Sequence, residues 1–138
     1  MAKANKAIPK SGFVDKNLQT ALERLAVAAA AVDKAVAVRA RDAKKYGVTT
    51  KRLSKRKTAL TKRKRLAAGR VKKNPSGDTR RALRAVEKEL TSTTKELAKA
   101  RIVKSANAEE LALLKASQRR TSGYTKGIAQ VDRALAKK

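Results

Sequence analysis

The sequence predicts an all-α protein: an elongated antiparallel helical hairpin or three-helix, coiled-coil-like bundle, with a basic second helix and a flexible N-terminal arm. Apolar residues recur at alternating steps of four and three along much of the chain. That spacing keeps one line of side chains turned toward a partner helix. Helix breakers fall in a few short clusters: Pro9 with Gly12, Gly47, "NPSGD" at 74–78, and Gly123 with Gly127. Hydrophobicity is thin and charge is high, which favours paired helices over a thick globular core.

Residues 1–14 form the expected arm, carrying Lys3, Lys6 and Lys10 among its breakers. Residues 15–120 form the expected helical domain. Asp15 is a suitable N-cap for a first helix over about 15–46. Its seam steps through Leu18, Leu22, Leu25, Ala29, Val32 and Val36, then Arg39, Ala43 and Tyr46. Gly47 reads as the residue that ends it, and Thr50 as the cap of a second helix over about 51–73. The seam of that second helix is narrow, with Leu53 and Leu60 as its main members. The turn-forming cluster at 74–78 then separates it from a third helix over about 79–120. There the four-three phase runs unbroken through Leu83, Val86, Leu90, Thr93, Leu97, Ala100, Lys104, Asn107, Leu111, Leu114 and Gln118. Asn107 and Glu110 have the spacing of a capping box, but the unbroken phase favours one helix. Gly123 and Gly127 set off a short final helix and tail over 121–138. The first and third helices carry the better seams and should pair.

The chain has 138 residues, with 37 Lys and Arg against 11 Asp and Glu, a net charge of +26. Charge of that size opposes compaction and attracts polyanions. Of 57 hydrophobic residues, 27 are alanine, and Leu, Ile, Val and Phe together supply 27 more. With no Cys and no His, disulfides, most zinc sites and histidine acid–base chemistry are excluded. The longest apolar run, Leu25 to Val32, is too short to span a bilayer, and the N-terminal residues show no secretory signal core. No Gly-rich phosphate loop or nucleophile–base pair is visible. The expectation is a non-enzyme without cofactor or metal, neither secreted by a signal nor transmembrane. A nucleoid, a nucleus or the interior of a virus particle would suit it.

The charge is unevenly placed. Residues 48–77 hold twelve basic groups and no acid, nearly half of the net +26. They are Lys51, Arg52, Lys55, Arg56, Lys57, Lys62, Arg63, Lys64, Arg65, Arg70, Lys72 and Lys73. On a helical wheel the leucines make a narrow line and the cations surround nearly all the rest. Like charges one turn apart disfavour such a helix, so an anionic partner should stabilise it. A solvated charged face is the bland reading, but complete absence of acid over thirty residues points to phosphate binding. Residues 51–73 hold no aromatic residue for stacking bases and no Asn or Gln for reading adenine. The expected partner is therefore nucleic acid, double-stranded DNA foremost, gripped by its backbone in a packaging or architectural role. In composition the chain is similar to chromatin-condensing tails and internal proteins of virus particles. The alternatives are a structural component of a virion or ribonucleoprotein, or a peripheral binder of anionic membranes. Spare seam area would suit a homo-oligomer or a larger protein assembly. Membrane binding is the least supported, because the basic run offers few bulky apolar residues for insertion.

Overall fold

A computed structural model describes residues 8–137. They form two long helices, α1 over Ser11–Lys73 and α2 over Gly77–Ala136, joined by a turn at residues 74–76. The helices pack on one another as in a helical hairpin, and no strand occurs among the described residues.

Three expected breaks do not occur. Residues 1–7 of the expected arm lie outside the described residues. Helix α1 begins at Ser11, ahead of Asp15, with the Lys10 carbonyl accepting the amides of Phe13 and Val14 at 3.1 Å each. Residues 11–14 therefore belong to the helix and not to the arm. At the second break, α1 runs straight through Gly47, which has no positive φ. Thr50 is a helix-interior residue whose hydroxyl donates to the Tyr46 carbonyl at 2.7 Å, so it caps nothing. The expected first and second helices are one.

The physical reason is phase. From Tyr46 the four-three steps continue through Thr50, Leu53, Lys57, Leu60, Lys64, Ala67 and Val71 without a slip. A helix that continues keeps this line facing its partner, and the ~1 kcal/mol that glycine costs in a helix is small beside that packing. The same holds at the third break. Helix α2 passes through Gly123 and Gly127, and its phase carries on from Gln118 through Thr121, Thr125 and Ile128.

The turn falls where the sequence places it. Pro75 cannot continue a helix, and it biases Asn74 away from helical torsions. The Ser76 hydroxyl accepts the Thr79 amide at 3.2 Å, while the Ser76 amide donates to the Thr79 hydroxyl at 3.0 Å. This reciprocal cap satisfies two backbone donors at the start of α2. Asp78 in that first turn and Arg70, Lys72 and Lys73 in the last turn of α1 complement the helix dipoles.

The chain divides into two compact units. Among the described residues one holds 8–38 together with 111–137; the other is Arg39–Glu110. In the first unit Val32 is buried, while Leu22, Leu25, Ala29, Val36, Leu111 and Leu114 are half-buried. Leu18, a seam residue by spacing, is 57% exposed. It forms one wall of an open groove with Leu22, Tyr124, Ile128 and Val131, where it is not covered from above. Gln118 Nε2 donates to Asp33 Oδ1 at 2.8 Å, tying α1 to α2 within this unit.

The second unit holds most of the buried core: Leu53, Leu60, Ala67 and Leu97, with Leu83, Val86 and Leu90 half-buried. Two polar residues are buried with them, Thr93 and Asn107. Asn107 Nδ2 donates to the Arg39 carbonyl at 3.1 Å, and its Oδ1 accepts from Arg39 Nη1 at 3.2 Å. Both ends of the amide are satisfied, so it can sit in the seam without a desolvation penalty left open. A paired amide at one seam position also fixes register, because any slip between the helices would strand it. Lys104, one step earlier in the same seam, is exposed.

Candidate nucleic-acid interface

The acid-free run occupies the last third of α1, entirely within the second unit. Its leucines point one way. Leu53 is 6% exposed and Leu60 is 2% exposed, so the seam side is committed to packing against α2. The rest of the circumference is free. Lys51, Arg52, Lys55, Arg56, Lys62, Arg63, Lys64, Arg65, Arg70, Lys72 and Lys73 are all exposed, and Lys57 alone of the twelve is half-buried.

Lys57 and Lys64 occupy seam positions by phase, yet the long lysine stem lets the ammonium reach water while its methylenes cover the seam. Around the helix the cations sort by type. Arg52, Arg56, Arg63 and Arg70 share one flank, and Lys51, Lys55, Lys62 and Lys73 lie opposite the leucine line. Arginine can fork onto phosphate oxygens, whereas lysine acts as a point charge. One flank therefore suits oriented phosphate contacts, and the outer face suits diffuse attraction.

Helix α2 adds a wall on the other flank. A groove of about 400 Å³ is lined from α1 by Lys57, Lys62 and Arg65 and by the hydroxyl residues Ser54, Thr58 and Thr61. From α2 it takes buried Leu97 and exposed Arg101. The sequence alone does not bring Arg101 to this site, because its own segment is mixed in charge and Glu96 lies nearby. What could have found it is the pairing of the two seams, carried across the turn residue by residue.

Chemically the site is a set of fixed donors with no acceptor carboxylate in the run. Its cations suit anionic groups. Among the described residues no three Asp, Glu, His or Cys side chains converge on a metal-sized site. No described helix is long and apolar enough to cross a membrane. The exposed aromatics Phe13 and Tyr124 belong to the first unit, Tyr46 before the basic run is half-buried, and the run itself contains no aromatic residue. No protein-family model matches the chain, and no curated protein or solved structure is significantly similar to it.

Proposed function

We propose that the protein binds the phosphate backbone of nucleic acid, double-stranded DNA foremost, without reading sequence, and serves a packaging or architectural role. The observation that carries this is the exposure of eleven of the twelve cations of residues 51–73 on one continuous helix. With no acid inside the run to neutralise it, that charge can displace the cations condensed along a phosphate backbone. Release of those ions drives backbone binding regardless of base sequence. Such contacts position a protein on a duplex and carry no sequence information.

Burial weighs against the membrane alternative. Leu53 and Leu60 are taken up by packing, which leaves Leu66, 64% exposed, as the large apolar side chain that this run presents fully to solvent. Firm interfacial binding needs a broad apolar face as well as charge. Mobility-shift titrations with two duplexes of unrelated sequence, beside flotation with phosphatidylserine vesicles, separate the readings. The two duplexes should bind with affinities within about threefold of each other, because phosphate contacts are sequence-blind. Discrimination of a hundredfold would indicate a sequence reader. Flotation with vesicles while neither duplex shifts would identify a membrane binder.

A further inference from the structure

The groove between Lys57, Lys62 and Arg65 of α1 and Arg101 of α2 differs from other grooves on the surface. Four others among the described residues each include a carboxylate: Asp33 in one, Asp132 in a second, Glu87 in a third and Glu110 in a fourth. Here the lining holds four cations and no acid. The two threonine hydroxyls do not contribute donors. Thr58 gives its hydrogen to the Ser54 carbonyl at 3.1 Å, and Thr61 gives its own to the Lys57 carbonyl at 2.8 Å. An anion in the groove would be held by the cations, with the Leu97 side of the lining excluding water beneath it.

From Ser54 to Arg65 the groove runs along α1 for roughly 16 Å at the helical rise. One strand of a duplex rises about 3.4 Å per phosphate along the axis and its phosphates lie farther apart along the winding backbone, so fewer than about five fit that length. We infer that this groove seats one phosphodiester strand, and that Arg101 of α2 is a phosphate-binding residue acting together with the basic run of α1. The inference rests on the proposed backbone binding and places it: the strand lies along the junction of the two helices, not on the outer face of α1 alone. Binding then requires the paired hairpin, since α2 supplies one wall.

Lys99 provides the control. It is exposed, carries the same charge, and sits two residues from Arg101 on the same helix, so its side chain projects about 160° away. Arg101→Ala and Lys99→Ala are compared in the full chain by titrating a duplex of about twenty base pairs at 0.1 M salt, with helicity checked by circular dichroism. One lost phosphate contact gives up about 0.9 of a released ion, or about an eightfold drop in affinity at that salt relative to a 1 M reference. Arg101→Ala should show that drop, and the slope of log affinity against log salt should flatten by about 0.9. Lys99→Ala should change affinity by less than about twofold, because a charge off the contact surface is screened within about 10 Å. Equal effects of the two substitutions, or no effect of Arg101→Ala, would overturn the assignment of the groove. Failure of the unsubstituted chain to bind any duplex would instead overturn the backbone-binding reading itself.

Discussion

Replacing Lys62, Arg63, Lys64 and Arg65 together with glutamine should lower affinity for duplex DNA by about 60-fold at 0.1 M salt. The four residues are consecutive and all exposed, in the middle of the acid-free run. At 100° per residue they cover most of the helix circumference, so a duplex approaching from any open side meets some of them. Lys64 lies nearest the seam and Arg63 projects about 160° away from Arg65, which leaves Lys62 and Arg65 well placed for phosphates in the groove, each contributing about 0.9 of a released counterion. Fold should survive the change. Glutamine has a helix propensity close to that of lysine and arginine, and none of the four side chains is buried. Loss of the Lys62/Arg65 repulsion at three-residue spacing would help the helix slightly. A variant that stayed helical and bound within threefold of the original would show that the charge acts only as a diffuse coat.

Leu97→Ala should be the most damaging single truncation, costing about 3 kcal/mol. Leu97 is 1% exposed, in a unit whose buried apolar residues are otherwise Leu53, Leu60 and Ala67. With so few large side chains fully covered, a cavity at one of them removes a sizeable share of the packing between α1 and α2. For a unit of this size that cost corresponds to a fall of roughly 15 °C in the melting midpoint. Leu66→Ala is the matched comparison, because Leu66 is 64% exposed and its loss should change stability by less than about 0.5 kcal/mol. Thermal melts followed by circular dichroism would distinguish them, and equal midpoints would mean that the seam does not hold the helices together.

The helical character and the turn were legible in the sequence because each has a strong local cause. The four-three phase from Leu83 to Gln118 leaves little choice but helix, and Pro75 among Asn74, Ser76 and Gly77 leaves little choice but a turn. The break expected at Gly47 and Thr50 was misread because two residues common at helix ends outweighed a pattern that ran past them. Lysines at 57 and 64 obscured that pattern, since a seam position filled by a cation does not look apolar. Continuity of a buried line is a property of the whole helix, and it overrides the preference of any single residue within it.

For the candidate site, the position of the cations along the chain was readable, but their surroundings were not. Arg101 reaches the groove only through the register between α1 and α2. That register is held by particular pairings such as Asn107 with Arg39, in which a buried amide finds both a carbonyl and a guanidinium. Seam spacing marks Asn107 as an inward-facing position but says nothing about its partner. Burial of Leu53 and Leu60, by contrast, follows from their seven-residue spacing within the run that carries the cations.

The measurement that bears most directly on backbone binding is the affinity of the unsubstituted chain for one duplex across 50 to 200 mM salt. If about six cations of the basic surface meet phosphates, log affinity should fall with log salt at a slope near −5, a loss on the order of 10³-fold across that range. A slope flatter than about −2, or no binding at 50 mM salt, would contradict a surface built to replace counterions on a phosphate backbone.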